Sequence, residues 1–179
     1  TAVDLSLSVP DLAPIAPQIQ GGVSVTGSAE ATGAGLWQVD LQADAPYDSD
    51  LTVAGSIGGG QGDVRLTAEV PDLSAFAPGV PGALSLRGTA QEQAGGAWQV
   101  DLDAALPYEA TAAVQGEVGA GAAALSYSAR LPDVGALAPQ FSGPLAATGT
   151  ARQDDGGRWQ VTADVDAPYG ATAQVQAAL

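Results

Sequence analysis

Three stretches of this chain spell the same pattern, 61 residues apart and with no insertion between them. Val9-Pro10-Asp11 returns as Val70-Pro71-Asp72 and Leu131-Pro132-Asp133. Trp37-Gln38-Val39 returns as Trp98-Gln99-Val100 and Trp159-Gln160-Val161. Ala45-Pro46-Tyr47 returns as Leu106-Pro107-Tyr108 and Ala167-Pro168-Tyr169. A fixed period of this length implies units that hide their apolar faces by stacking on one another. The expectation is one continuous body over residues 1–179, with repeats at 1–61, 62–122 and a truncated 123–179. Function then belongs to a surface shared by the units rather than to a single cleft.

Alternation fixes the secondary structure within a unit. Val3, Leu5, Leu7 and Val9 share one strand face, opposite Asp4, Ser6 and Ser8. Val23 and Val25 alternate with Ser24 and Thr26, and Trp37, Val39, Leu41, Ala43 and Ala45 with Gln38, Asp40, Gln42 and Asp44. Leu51, Val53 and Ile57 form a fourth strand. Strict period-two alternation is the mark of half-buried β-strand. The turns carry their own chemistry: 31–35, Pro46-Tyr47-Asp48-Ser49, and the glycine run Gly58 to Gly62. Short links favour antiparallel neighbours. The fold class expected is therefore all-β, an elongated antiparallel sheet of about four strands plus one short helix per unit.

That helix is read over Pro10 to Ile19, where Leu12, Ile15, Ala16 and Ile19 have helical spacing and Asp11 stands as the N-cap. Pro17, recurring as Pro78 and Pro139, limits it to one or two turns. Leu73, Phe76, Ala77 and Val80, then Val134, Leu137, Ala138 and Phe141, repeat the same apolar quartet. Gly27, Gly88 and Gly149 recur inside the second strand of each unit, where a bulge or sharp bend is expected.

Asp40, Asp44, Asp101, Asp103, Asp164 and Asp166 all lie opposite the tryptophan face, so one side of the sheet is wet and the other apolar. Four strands ~4.8 Å apart and ~25 Å long present roughly 450 to 500 Å² per unit. A helix of about nine residues covers roughly 130 Å². The remainder must pack on itself, close into a barrel, meet a partner or hold something apolar. A packed sandwich core, a trough and a propeller of four-stranded blades all remain open on this reading. The candidate lining of a trough is Leu5, Leu7, Val23, Val25, Trp37, Val39, Leu41 and Val53 in the first unit. Val64, Leu66, Leu84, Leu86, Trp98, Val100, Leu102 and Val114 follow in the second, and Leu125, Leu145, Trp159, Val161, Val165 and Val175 in the third.

Catalytic chemistry finds little support. The chain has no His, Cys or Met, and all five cations are Arg. The commonest general base and the usual transition-metal ligands are thus missing, and no Ser has a triad partner. Asp101 with Asp103 and Asp164 with Asp166 resemble catalytic carboxylate pairs only in spacing, and they sit on the wet face. Gly59-Gly60-Gln61-Gly62-Asp63, Asp48-Ser49-Asp50 and Asp154-Asp155-Gly156 read as turns. The expectation is a non-enzyme with no cofactor and no metal. A net charge of −15 also argues against nucleic acid, which needs a basic stripe. The three tryptophans read as pillars of the apolar face, though evenly spaced aromatics can also grip a ligand. Thr1 stands where an initiator Met would, as in a mature product or an excised piece.

The segments Val9-Pro10-Asp11-Leu12-Ala13-Pro14, Val70 to Pro78 and Leu131 to Pro139, set between amphipathic antiparallel strands, resemble the TamB family of AsmA-like envelope proteins in its alphaproteobacterial form. The similarity runs over the whole chain and rests on repeat style, composition and strand pattern. It implies an internal stretch of a β-taco, a folded-over trough in a periplasmic protein anchored in the inner membrane. It further implies a TamA-like, Omp85-type outer-membrane partner and a role in outer-membrane assembly and protein secretion. The cargo implied is phospholipid or an unfolded outer-membrane protein. The alternative from another class is a structural or adhesive cell-surface repeat with a self-packed core.

Overall fold

A computed structural model describes residues 1–14, 21–33, 35–77, 79–119, 122–154 and 156–178. Its elements are β1 (Ala2–Val9), β2 (Val23–Gly33), β3 (Leu36–Ala45), β4 (Ser49–Ile57), β5 (Asp63–Val70) and β6 (Leu84–Glu92). They continue as β7 (Trp98–Ala105), β8 (Thr111–Gly119), β9 (Ala122–Leu131), β10 (Leu145–Gln153), β11 (Trp159–Ala167) and β12 (Ala171–Ala178). All twelve lie in one antiparallel sheet in sequence order, a meander with β1 and β12 at its two edges. The chain is all-β, and each repeat contributes four strands. Because the sheet is continuous and open, it is neither a set of propeller blades nor a barrel.

The pairing register is the same in every repeat. Leu41↔Val53 in the first unit becomes Leu102↔Val114 in the second. The joints between units match as well, with Val53↔Leu66 at β4–β5 and Val114↔Tyr127 at β8–β9. One shift among the described pairs lies between Ala31 and Gly33, at the far end of β2.

Of the bulge or sharp bend expected at the three strand glycines, the bulge is absent. Gly27↔Leu41, Gly88↔Leu102 and Gly149↔Ala163 pair without interruption. Glycine is needed there because a Cβ would strike the partner strand. At Gly27 and Gly88 the obstacle includes the side chain of Leu41 or Leu102, folded across the missing side chain. In the third unit Ala163 is too short for that, and Tyr127 covers Gly149 from the other side. Its hydroxyl reaches over β10 to donate to the Thr162 carbonyl at 2.9 Å. Covering a strand glycine with a neighbouring aromatic recovers packing that the glycine forgoes. Gly55 and Gly116 are a second set: their φ values of 153° and 149° and the adjacent Asp63 and Ala124 carbonyls admit no side chain.

The expected helix shrinks to a single 3₁₀ turn, at Leu73–Ala75 and again at Val134–Ala136. In the first unit the equivalent positions 12–14 form a bend and turn, and residues 15–19 of the expected helix lie outside the described residues. The reason is a clasp across the loop neck. Asp72 Oδ1 accepts from Ser74 N at 2.9 Å and from Gly82 N at 3.3 Å, while Leu73 N donates to the Gly82 carbonyl at 2.8 Å. Asp133 repeats this with Gly135 N at 2.9 Å and Gly143 N at 3.0 Å. Asp11 makes the first of these bonds, to Ala13 N at 2.9 Å. The aspartate is thus the cap expected of it, and it also ties the two ends of the loop together. A loop closed after ten residues has no length for a regular helix.

These bonds hold both carboxyls below the ordinary carboxylate range. For Asp72 the main cause is the Ser74 N–H, then the Ser74 hydroxyl and the Gly82 N–H; for Asp133 it is the Gly135 N–H, then Gly143. A depressed carboxylate stabilises the fold above its unfolded pKa and loses that contribution as pH falls through the folded one. The clasps therefore hold near neutrality and release below about pH 4. Melting temperature followed from pH 5 to 2.5 is expected to fall for the native chain. Asp133→Asn, which keeps an acceptor without a titrating proton, should fall less over that interval. Identical acid limbs would contradict the clasp.

Candidate functional site

The register sorts the apolar side chains into rows that cross the sheet. The central row contains Leu5, Leu41, Val53, Leu66, Leu102, Val114 and Val175, with Gly27, Gly88, Tyr127, Gly149 and Ala163 between them. On one side of it lie Leu7, Val25, Leu86 and Val165, and beyond them Val23, Leu84 and Leu145. On the other lie Val39, Val64, Val100, Leu125 and Val161, and then Trp37, Trp98 and Trp159. Every residue named from the sequence as a lining candidate therefore stands on one face. The opposite face carries Asp40, Arg65, Asp101, Gln115 and Thr162 in a single polar row.

That apolar face is not sealed. Among the described residues no large side chain is fully buried, and the buried apolar side chains are only those of Ala97, Ala123, Leu131 and the turn prolines Pro46 and Pro107. Leu5, Leu7 and Val175 on the edge strands are each more than half exposed. The chain exposes 10871 Å². A compact monomer of its 17.6 kDa would expose roughly 7,900 Å². The excess, about 3,000 Å², exceeds what a standard protein–protein interface buries. A self-packed sandwich core is thus not what this sheet forms.

Trp98 lies along the face rather than standing from it. Its ring occupies the space a side chain at Gly62 would need, two strands away, while Glu92 Oε2 accepts from Gly62 N at 3.0 Å. The tryptophan is a covering plate over the start of β5.

One end of the apolar face is built up by the loops. Pro46, Pro107 and Pro168 lie against Gly21, Gly82 and Gly143, the second neck residues of the clasped loops. Tyr47, Tyr108 and Tyr169 follow them at φ of 64°, 62° and 63°, the left-handed region that a bulky residue rarely occupies. Asp48, Glu109 and Gly170 are left-handed too, so each turn is a type I′ hairpin turn. Tyr47 of the first repeat bridges units, meeting Phe76 of the second edge-on with ring centroids 5.3 Å apart, whereas the Tyr169 hydroxyl accepts from Ser142 N of its own repeat at 3.2 Å.

Between the second and third repeats this end opens into a cavity of about 410 Å³. Leu106, Ala110, Leu131 and Leu145 floor it together with Ala112, Ala129 and Ala147, and Val80, Tyr108 and Leu137 from the loops and turn form its rim. Its size falls in the range of small-molecule sites. The cause is a run of methyl groups: Ala112, Ala129 and Ala147 are neighbours on three successive strands. In the first two repeats Leu51 and Leu86 thicken the same row. Sequence reading missed this cavity, because the alanines are scattered along the chain and line up only once the register is known.

Among the described residues no cluster of His, Cys, Asp and Glu could hold a metal ion. The candidate pairs Asp101 with Asp103 and Asp164 with Asp166 remain on the polar face. Asp154 is engaged in its own turn, accepting from Gly156 N at 2.9 Å and from Arg158 N at 3.0 Å, with Arg158 Nε at 2.9 Å on its second oxygen. No helix among the described residues is long and apolar enough to cross a membrane. No family model, curated protein or solved structure matches this chain.

The cavity should take up a small apolar probe such as N-phenyl-1-naphthylamine. Ala129→Leu fills part of it. Losing the contact of one methylene, about 0.8 kcal/mol, weakens binding about fourfold in a fluorescence titration. An unchanged affinity in a variant with native circular dichroism would show that the cavity is not where such molecules bind.

Proposed function

We propose that this chain is a non-enzymatic length of a β-trough that shields apolar cargo in transit through water. The observation that carries this is the open sheet with one continuous apolar face left half-exposed along all three repeats. Large exposed apolar surfaces are retained where a ligand or partner covers them. The mechanism is passive: each methylene moved from water onto the face is favoured by about 0.8 kcal/mol. The TamB-like pattern of the sequence supports a setting in the periplasm, as part of an inner-membrane-anchored protein. There the sheet folds over into a trough, with an Omp85-type partner at the outer membrane and phospholipid acyl chains or nascent outer-membrane strands as cargo. The adhesive-repeat alternative calls for a self-packed core, which the exposure of the apolar face disfavours.

Native mass spectrometry of the purified chain is the test. Phospholipid is expected to co-purify, and to be lost when Val39, Val100 and Val161, which share one row of the face, are all changed to Asp. A lipid-free, monodisperse monomer that melts cooperatively would overturn the proposal.

A further inference from the structure

Charge is spread over this sheet as unevenly as apolar surface is. The chain carries 20 acids against five cations, all arginine, and none of the five stands on the apolar face. Arg65 alternates with Val64 and Leu66, and Arg87 with Leu86 and Gly88, so both leave on the polar side. Arg152 does the same beside Ala151, opposite Gln160. Arg130 borders the cavity, but it sits between Ala129 and Leu131, and alternation turns its side chain to the polar face. Arg158 is held in its own turn, its Nη2 at 2.9 Å from Asp154 Oδ2. Acids, by contrast, stand at both rims. Asp48 and Glu109 occupy the turns beside Tyr47 and Tyr108. At the other rim Glu92 lies directly across from Trp98, which makes it the one charged strand residue on the apolar face among the described residues. Its partner is Gly62 N at 3.0 Å, a neutral donor that leaves the negative charge in place.

We infer that the trough selects its cargo by headgroup charge: it takes amphiphiles of zero net charge, zwitterions included, and turns away anionic ones. The inference rests on the proposed function, in which acyl chains lie along the apolar face. A chain laid there gains the same burial whatever head it carries, so the tails do not discriminate. The head, left at a rim, meets carboxylates with no free guanidinium on that face to offset them. At low salt a carboxylate about 8 Å from an anionic head weakens binding about twofold. Three or four within that distance amount to about tenfold. A zwitterionic head escapes this, because its ammonium is attracted about as strongly as its phosphate is repelled.

Dihexanoyl lipids, titrated as monomers into the purified chain by isothermal calorimetry, vary the head while the tails stay constant. At about 10 mM salt, where the screening length is about 30 Å, dihexanoylphosphatidylcholine should bind about tenfold more tightly than dihexanoylphosphatidylglycerol. At about 1 M salt, where that length falls to about 3 Å, the ratio should drop below about twofold. Asp48→Asn, Glu109→Asn and Glu92→Gln together remove three rim charges. Asparagine suits the left-handed turn positions, and glutamine keeps an acceptor for Gly62 N. In that variant, with native circular dichroism, the low-salt preference should shrink severalfold. Equal binding of the two lipids at low salt, tighter binding of the phosphatidylglycerol, or a preference that neither salt nor the triple variant reduces would each overturn the inference while the trough itself stands. Binding of neither lipid would instead overturn the proposed function, and the inference with it.

Discussion

Backbone hydrogen bonding between neighbouring strands, held to one unvarying register, is the interaction on which everything else in this molecule rests. A sandwich or barrel would share the load with a packed core. Here no large side chain is fully buried among the described residues, so the ladder carries the sheet almost alone. Each ladder bond contributes only about 1 kcal/mol net, but every strand between β1 and β12 is bonded on both sides. Register is also what makes two faces out of twelve separate alternations. A slip of one residue at any joint would send every later apolar side chain to the wet side.

Devices that hold the register are concentrated at the loop end. The Asp72 and Asp133 clasps keep each long loop closed at its neck, and the neighbouring glycine lets the turn proline approach. Of the left-handed tyrosines, Tyr47 links the first unit to Phe76 of the second, while Tyr169 holds Ser142 within the third. Backbone conformations of this kind cost of order 1–3 kcal/mol each, and they recur at the same place in all three repeats. In the third repeat Gly170 takes the second left-handed position, where Asp48 and Glu109 stand in the others. The tyrosine itself is kept, and there its hydroxyl accepts from Ser142 N of the preceding loop at 3.2 Å.

What could be read from residues alone was whatever is local. Period-two alternation named the strands, and the face assignment of all three tryptophans and of the acids opposite them followed directly from it. The capping role of Asp11, which Asp72 and Asp133 repeat, was visible because a cap acts on residues two positions away. Errors arose where the cause lies on another strand. Gly27, Gly88 and Gly149 were read as a bulge or sharp bend, and the bulge is absent; nothing in their own strand reveals Leu41, Leu102 or Tyr127 lying across them. The helix was overestimated because the second bond of the clasp comes from Gly82 or Gly143, ten residues on. The alanine cavity needed three strands to be aligned before it existed at all.

An apolar face that its own chain does not cover is the central feature, and the tryptophans are placed to report on it. All three lie on that face, in the outermost row. Folded protein mixed with phospholipid carrying brominated acyl chains should show tryptophan emission quenched well below that seen with the unbrominated lipid. Equal emission with both lipids, from a chain whose sheet is intact by circular dichroism, would mean that acyl chains do not lie along the face, and would contradict the account.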